Sequence, residues 1–408
     1  MPGRPPSRRE AARPVTGDQP HKSFDVVVAG GGIAALEATL ALRDLASGLV
    51  EVTVVSPTDR FTFAPASVGV PFGKSVVRQF DLFHIANDLG VRLVIGTVTA
   101  VESDRKRVIL ADGSPLAYRA LLIASGGAAR EAIPGAVTFR GPADIDHVRT
   151  LLDEVSEGSV DRLLFAVPAS LGWTLPLYEL CLLTGRYLVE HDYVHYYANG
   201  NRRRTPPQIG LVTPEAAPLE AFGSEASAAV TALLDELGVT LHLGQTPVRF
   251  HDGRLVTLPG GGLTADRVLA MPRLEGTQIT GITVDSEGFI RTDRSGRVDN
   301  LIDVYAAGDA TAFPIKQGGI AAQQAVAAAQ AIAADAGADV TPEPFEPVLR
   351  GLLVTGGEER YMRSELGGGA GQTSSVTEQA LWWPPGKLAA HYLTPYLARL
   401  AQDSAQAF

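Results

Sequence analysis

Two stretches of this 408-residue chain carry residue types whose spacing could do chemistry. In FDVVVAGGGIAALEATL, Gly30, Gly32 and Ala35 fit G-x-G-x-x-A, the spacing of a phosphate-binding turn. The first glycine permits a tight turn, the second lets backbone approach a pyrophosphate, and the alanine lets helix and strand pack closely. Ile33 and Ala34 then open a helix whose first amides attract an anion. In VYAAGDATAFPIKQGGIAAQQ, Gly308 sets Asp309 on a turn just past a buried strand, where a carboxylate can accept hydrogen bonds from polyol hydroxyls. Lys316 and Gln317 follow as polar groups able to bond to a ring placed there; start-of-helix capping is the plainer reading for both. The helix opening at Gly318 and Gly319 aims its positive end past Gln317, an arrangement that stabilises a reduced, negatively charged ring by about 0.3 to 2 kcal/mol.

These residues need elements to position them. FDVVVAG at 24–30 is a β-branched run ending on glycine, IAALEATLALRDLA has helical spacing, and VEVTVVS at 50–56 is a second strand. Residues 91–127 read as short strands with a turn at 111–113, closing on the apolar run ALLIASGG. A second strand-helix-strand unit starts at DRLLFAV near 161, with a helix over 174–187, the strand QIGLVTP, a helix at about 222–237 and the strand VTLHLG. LTADRVLAMP and VDNLIDVYAAGDA add buried strands, and an alanine-rich helix runs to about 335. The fold class expected is α/β, with two Rossmann-like, three-layer ββα dinucleotide-binding domains, the second inserted in the first. The expected limits are 24–150 and 290–345 for the first domain, 151–289 for the second and 346–408 for a small C-terminal cap. Residues 1–23 are rich in Pro and Arg without an apolar segment, which predicts a disordered tail and not a secretory signal.

Composition excludes whole classes of function. A net charge of -10 argues against nucleic-acid binding, which requires a basic face. The single cysteine, Cys181, forbids an internal disulfide and every two-cysteine redox mechanism; set among leucines in YELCLL, it reads as a small buried hydrophobe. No run approaches the ~20 apolar residues that span a bilayer, so a cytoplasmic protein is expected. His191 and His195 could share a helical face, but ordinary surface placement is the expectation and no metal site is assigned.

GGGIAA, ALLIASGG at 120–127 and YAAGDAT at 305–311 resemble the three FAD fingerprints of the pyridine nucleotide-disulfide oxidoreductase superfamily. The layout is most similar to type II NADH dehydrogenases and sulfide:quinone oxidoreductases, over roughly residues 24 to 400. The resemblance implies that Gly30, Gly32 and Ala35 hold the FAD pyrophosphate, that Ser125 and Gly126 sit by the dinucleotide, and that Asp309 binds the ribityl chain. It also implies that Arg60 and Pro65, in DRFTFAP, lie near the flavin and that Val98 meets adenine. The acidic residue expected at the end of the second strand is absent; Ser56 stands there, a weaker partner for a ribose.

In relatives that use NADH the second unit presents its own glycine-rich turn, whereas this chain has LFAVPASLGW, with Pro168, Ala169, Ser170 and Leu171 before Gly172. Proline removes a donor and side chains crowd a pyrophosphate. Either NAD(P)H docks in a variant manner, through Ser170 and ribose contacts from Thr213 and Glu215, or the domain has kept its fold and lost that ligand. Near the C terminus Leu388, Tyr392, Leu393, Tyr396, Leu397 and Leu400 form a stripe at near-helical spacing, to be packed on the FAD domain or laid against a membrane surface; Pro395 argues against a long helix. The expected activity is electron transfer through FAD, from NAD(P)H or another two-electron donor to a quinone or similar small acceptor. The alternatives are a flavin-binding protein whose second domain serves regulation or partner docking, and a flavin dehydrogenase of a small organic substrate.

Overall fold

The computed structural model describes residues 24–169, 172–199, 206–366 and 373–406. The predicted tail, 1–23, and Ser170 lie outside the described residues. Helices in chain order are α1 (Ile33–Leu45), α2 (Leu82–Leu89), α3 (Ile145–Glu157), α4 (Leu175–Asn199), α5 (Ser224–Glu236), α6 (Gly318–Asp335) and α7 (Leu393–Gln406). Two parallel sheets organise them. In the first, Val304–Ala306, Ala120–Ile123, Phe24–Ala29, Val50–Ser56 and Arg92–Ile95 lie side by side in that order. Strands buried on both faces must be largely apolar, which is what VVVA and ALLI supply, with Val52, Val54 and Val55 in the strand beside them.

The second sheet has the order Val137–Thr138, Arg267–Ala270, Arg162–Ala166, Gln208–Val212, Thr240–His242, again parallel. It thus begins at Val137, ahead of the expected limit at 151, because a two-residue edge strand leaves no pattern to read. An antiparallel ribbon, Gly127–Arg130 against Arg273–Gly276, carries the chain from one sheet region to the other and back. The segment 346–408 contributes a three-stranded antiparallel sheet, Val348–Leu353, Arg360–Glu365 and Ser374–Thr377, followed by α7.

Small side chains draw α1 and α6 together. Ala35, Ala38, Ala41 and Leu42 share a core with Ala321, Ala325, Ala328, Ala329 and Ile332. Each buried Leu or Ile contributes about 1.5 to 3 kcal/mol, and the alanines let the axes approach. The N-termini of both helices point to the carboxyl ends of the first sheet's strands, the position where open parallel sheets bind ligands.

Two expectations need correction. The helix predicted over 174–187 continues to Asn199. Pro395 does not break α7 but lies in its first turn, where a missing N–H costs nothing. The apolar stripe is used up internally: Leu388, Leu393, Tyr396 and Leu397 are buried against Leu36 of α1 and Leu82 and Ile85 of α2. Among the described residues no helix is long and apolar enough to cross a membrane.

Candidate functional site

The first strand ends at Ala29, and Gly30 follows with φ +144°; a Cβ there would sit 2.1 Å from the Ala124 carbonyl oxygen. Only glycine can make that approach. Gly32 differs in kind. It is the N-cap of α1 without a side-chain cap, and a Cβ on it meets nothing within 4 Å. The first amides of α1, with no acidic residue in the turn to answer them, therefore face open space.

That space is a cleft of about 840 Å³, within the range of about 300 to 1,000 Å³ common for ligand sites. Gly30, Gly32, Ile33, Ala34, Ser56, Arg60, Pro65, Val98, Ser125, Gly126, Gly308, Asp309, Lys316, Gln317 and Gly318 all line it, although the sequence scatters them over nearly 290 positions. Ala35 and Gly319 do not line it: both are buried one residue behind, Ala35 in the α1–α6 core and Gly319 under the Gln317 side chain. The Ser56 hydroxyl is turned to its own loop, donating to the Thr58 carbonyl at 2.8 Å.

The Gly308 backbone N–H donates to Gln324 Oε1 at 2.8 Å, which seats the Asp309 turn over α6. The Asp309 carboxylate has no hydrogen-bond partner among the described residues, and burial pushes its pKa up against the pull of the Lys316 ammonium. A desolvated acceptor with free lone pairs in a cleft is what ligand hydroxyls would satisfy. Lys316 donates to the backbone carbonyls of Asp309, at 3.4 Å, and Thr311, and its ammonium stands 3.5 Å from the Phe289 ring centroid. Burial lowers its pKa to about 8, opposed by Asp309, Asp285 and Glu287. Gln317 caps α6 by accepting from the Ile320 amide at 2.9 Å and donates to the Arg350 carbonyl at 3.1 Å. Both of its polar atoms are engaged, so its part is to hold the start of α6.

The cleft also holds groups that sequence reasoning did not single out. Glu179, fully buried on α4, is paired with Lys387, and its Oε1 also accepts the Val354 amide at 2.8 Å. Glu179 Oε2 is buried with no partner among the described residues. Desolvation drives its pKa up and the lysine opposes it. Lys387 completes its bonds on the Leu352 carbonyl at 3.1 Å. Trp173, Leu175, Leu352, Phe139 and Met271 make the surrounding wall apolar. Arg140 reaches the same cleft, its backbone amide held at 2.8 Å by the buried carboxylate of Asp144. The available signal for Glu179 was a lone carboxylate inside the apolar run LPLYELCLL.

Gly172 packs against the 314–316 segment, its carbonyl accepting the Lys316 amide at 3.0 Å, and a Cβ there would lie 2.7 Å from the Pro314 oxygen. Thr213 is fully buried. The Glu215 carboxylate turns inward to accept from Tyr178 at 2.7 Å, Thr213 at 2.9 Å and Thr174 at 3.3 Å, at the first turn of α4. The expected ribose contacts are thus spent within the protein, because three hydroxyls offer the carboxylate a closer set of donors than solvent or ligand. Pro168 and Ala169 line a separate cleft with Arg273, Glu275, Asp285 and Glu287. His191 bonds to the Tyr187 carbonyl and stacks on the Tyr187 ring; the His195 side chain lies outside the described residues. Among the described residues no group of His, Cys, Asp and Glu could hold a metal ion.

Comparison with known proteins agrees with this geometry. The family model for pyridine nucleotide-disulphide oxidoreductases matches residues 24–163 and 200–331, which hold the first parallel sheet and most strands of the second. The chain belongs to the pyridine nucleotide-disulphide oxidoreductase family. It is an oxidoreductase of a family that binds FAD and uses NAD(P)H. It is 26% identical over 310 residues to the NADH dehydrogenase-like protein Rv1812c of Mycobacterium tuberculosis, covering 70% of this chain and 72% of that one. In fold it is similar to the sulfide:quinone oxidoreductase of Aquifex aeolicus, with TM-score 0.77, 16% identity and 87% of each chain covered. The ferredoxin reductase for the CYP199A2 system of Rhodopseudomonas palustris matches with TM-score 0.63 and 14% identity over 85% of this chain and 83% of that one. Family membership and the cleft fit each other: uncapped α1 amides for a pyrophosphate, an unpartnered Asp309 for hydroxyls and the N-terminus of α6 for a ring that gains negative charge.

Proposed function

We propose that this member of the family passes electron pairs through bound FAD, from NAD(P)H or another two-electron donor, to a quinone or similar small acceptor that takes up protons. One observation carries the reading. A single cleft is lined both by the residues expected to hold the dinucleotide and by the buried Glu179–Lys387 pair with its apolar neighbours. FAD, when bound, supplies the capacity to store two electrons.

The chain's own residues supply position, electrostatics and protons. The α1 amides and the open Gly32 hold the pyrophosphate, with Ser125, Gly126 and Val98 along the dinucleotide. Asp309 accepts from the ribityl hydroxyls. Lys316, near its midpoint of charge at about pH 8, lies where it can hold or yield a proton at Nζ. In the same cleft Lys387 Nζ, backed by the buried carboxylate of Glu179, can exchange a proton with an acceptor, while Trp173, Leu352 and Met271 keep water away. No nucleophile is required. Cys181 is buried, which pushes its thiol pKa far up and leaves it inert. A cytoplasmic setting accompanies this reading, since the apolar stripe near the C terminus packs on the protein itself.

A donor other than NAD(P)H is favoured by one feature, the Glu215 carboxylate seated at the first turn of α4. It seats a carboxylate, its pKa raised by burial, at the helix start where a second pyrophosphate would be expected to lie. Anaerobic titration of the FAD-loaded protein with NADH, NADPH and dithionite decides between donors. Bleaching by a pyridine nucleotide, with turnover on a soluble quinone, is the expected outcome of the first reading; bleaching by dithionite alone favours the second. A protein that takes up no FAD refutes both.

A further inference from the structure

We infer that Glu37 is a positioning residue: by gripping the backbone of residues 391–393 it holds a strap, 387–393, that carries Lys387 into the cleft and presses on the two helices that face FAD. Glu37 sits in α1, one turn beyond Gly32, and is fully buried in an otherwise apolar run, IAALEATLAL. Its Oε1 accepts the amides of His391 at 2.8 Å and Tyr392 at 3.0 Å, and its Oε2 accepts that of Leu393 at 2.6 Å. Only the last of these is the first amide of α7; the other two lie in the turn just ahead of it, so a carboxylate from one helix fixes the approach to another more than 350 positions away.

Three further contacts give the strap its leverage. Leu388 is buried and lies beside Gly318, where a Cβ would come within 3.1 Å of it and 2.8 Å of Ile33. The starts of α1 and α6 and the strap therefore meet at one point, and a side chain on Gly318 would wedge them apart. Thr394 closes the strap on itself, donating to the Leu388 carbonyl at 3.0 Å and accepting the Ala390 amide at 3.1 Å. Only a few residues before the gripped amides, Lys387 is drawn onto Glu179 and the Leu352 carbonyl. A strap released at 391–393 loses the register that puts this ammonium into the cleft. Burial raises the pKa of Glu37 and its three amides draw it back down.

The inference rests on the proposed function for its catalytic readout only. The experiment compares wild type with Glu37→Gln, Glu37→Ala, Lys387→Met, the double variant Glu37→Gln/Lys387→Met and the control Tyr392→Phe. The control removes the Tyr392 hydroxyl bond to Asp44, a tie of the same region that leaves the strap's amides untouched. Glu37→Gln keeps an acceptor for His391 and Tyr392 but turns an N–H toward Leu393, so the fold survives if Glu37→Ala does not. Amide hydrogen exchange at 391–393 is expected to quicken at least about tenfold in Glu37→Gln, the loss of one charge-assisted bond. With a soluble quinone, KM is expected to rise by about tenfold while FAD remains bound, and the double variant is expected to match Lys387→Met alone. Tyr392→Phe is expected to behave as wild type in KM. Effects of Glu37→Gln and Lys387→Met that multiply, or a wild-type KM beside quickened exchange, would overturn the inference. Should wild type bind no FAD, the proposed function falls, while the exchange experiment still reports whether Glu37 holds the strap.

Discussion

Gly32→Val separates holding FAD from folding, because the structure leaves its side chain room only in the cleft. The backbone at Gly32 has φ -94° and ψ -166°, an extended conformation open to any residue, and no atom lies within 4 Å of the added Cβ. Valine is a poorer N-cap than glycine, at a cost of about 0.5 to 1.5 kcal/mol. Losing a glycine from the unfolded chain returns about 0.4 to 1 kcal/mol. The net change in stability is under about 1 kcal/mol, or a shift of about 4 °C or less in Tm. For FAD the balance differs. Holding the pyrophosphate off the α1 amides forfeits charge-assisted hydrogen bonds worth about 1.5 to 3 kcal/mol each. Two lost bonds weaken binding by about a hundredfold to ten-thousandfold. Gly30→Val is the counterpart, since its Cβ would lie 2.1 Å from the Ala124 oxygen at φ +144°, and it is expected to fail to fold. The assay is the flavin absorbance retained after desalting, read beside a thermal melt. A Gly32→Val protein that stays yellow with wild-type affinity, or one that unfolds like Gly30→Val, would refute the assignment of this turn to the pyrophosphate.

Other outcomes follow from the same geometry. Lys387→Met leaves Glu179 buried and unpaired and is expected to cost about 3 to 5 kcal/mol in denaturant unfolding, with Glu179→Gln/Lys387→Met recovering most of it. Asp309→Ala is expected to weaken FAD about tenfold to a hundredfold by equilibrium titration, without loss of secondary structure. Lys316, its pKa lowered from 10.5 to about 8, imposes an inflexion near pH 8 on the rate of flavin reduction, and Lys316→Met is expected to remove it. Between those two values the unfolded chain holds a proton that the folded lysine has released, so this group makes stability rise with pH across that window and Lys316→Met flattens the rise.

Much of the first sheet and its site was legible because its determinants are local. Strands buried on both faces leave β-branched runs, and the demands of close backbone approach leave glycines at positive φ, Gly30 and Gly308, the first where no side chain fits. Pro168 likewise announced the altered second turn from its own chemistry. What stayed hidden depends on direction and distance. Glu215 stands at the strand end where a ribose partner was expected, but the sequence does not say that its carboxylate turns back to Tyr178. Lys387 meets Glu179 across 208 positions, in a segment with no motif of its own. The edge strand at 137–138 is too short to carry a period.

One class of hidden residue did leave a trace. Glu37 in IAALEATLAL and Glu179 in LPLYELCLL are each a single carboxylate inside an apolar helical run, and helical spacing turns both toward the interior. Burial of an ionised carboxylate is tolerated only where amides or a cation answer it, so such a residue forecasts a partner even when it cannot name one. Here the partners are the amides of 391–393 and the ammonium of Lys387, a few residues apart on one strap. The two anomalies therefore point, from different helices, to the same stretch of chain. A late segment without recognisable pattern is thereby specified by acidic residues placed far ahead of it, and its removal should leave two buried charges unanswered. Truncation before Lys387 is accordingly expected to destabilise α1 and α4 together in a single cooperative transition; two independent transitions, with α1 unaffected, would show that the carboxylates are not joined through the strap.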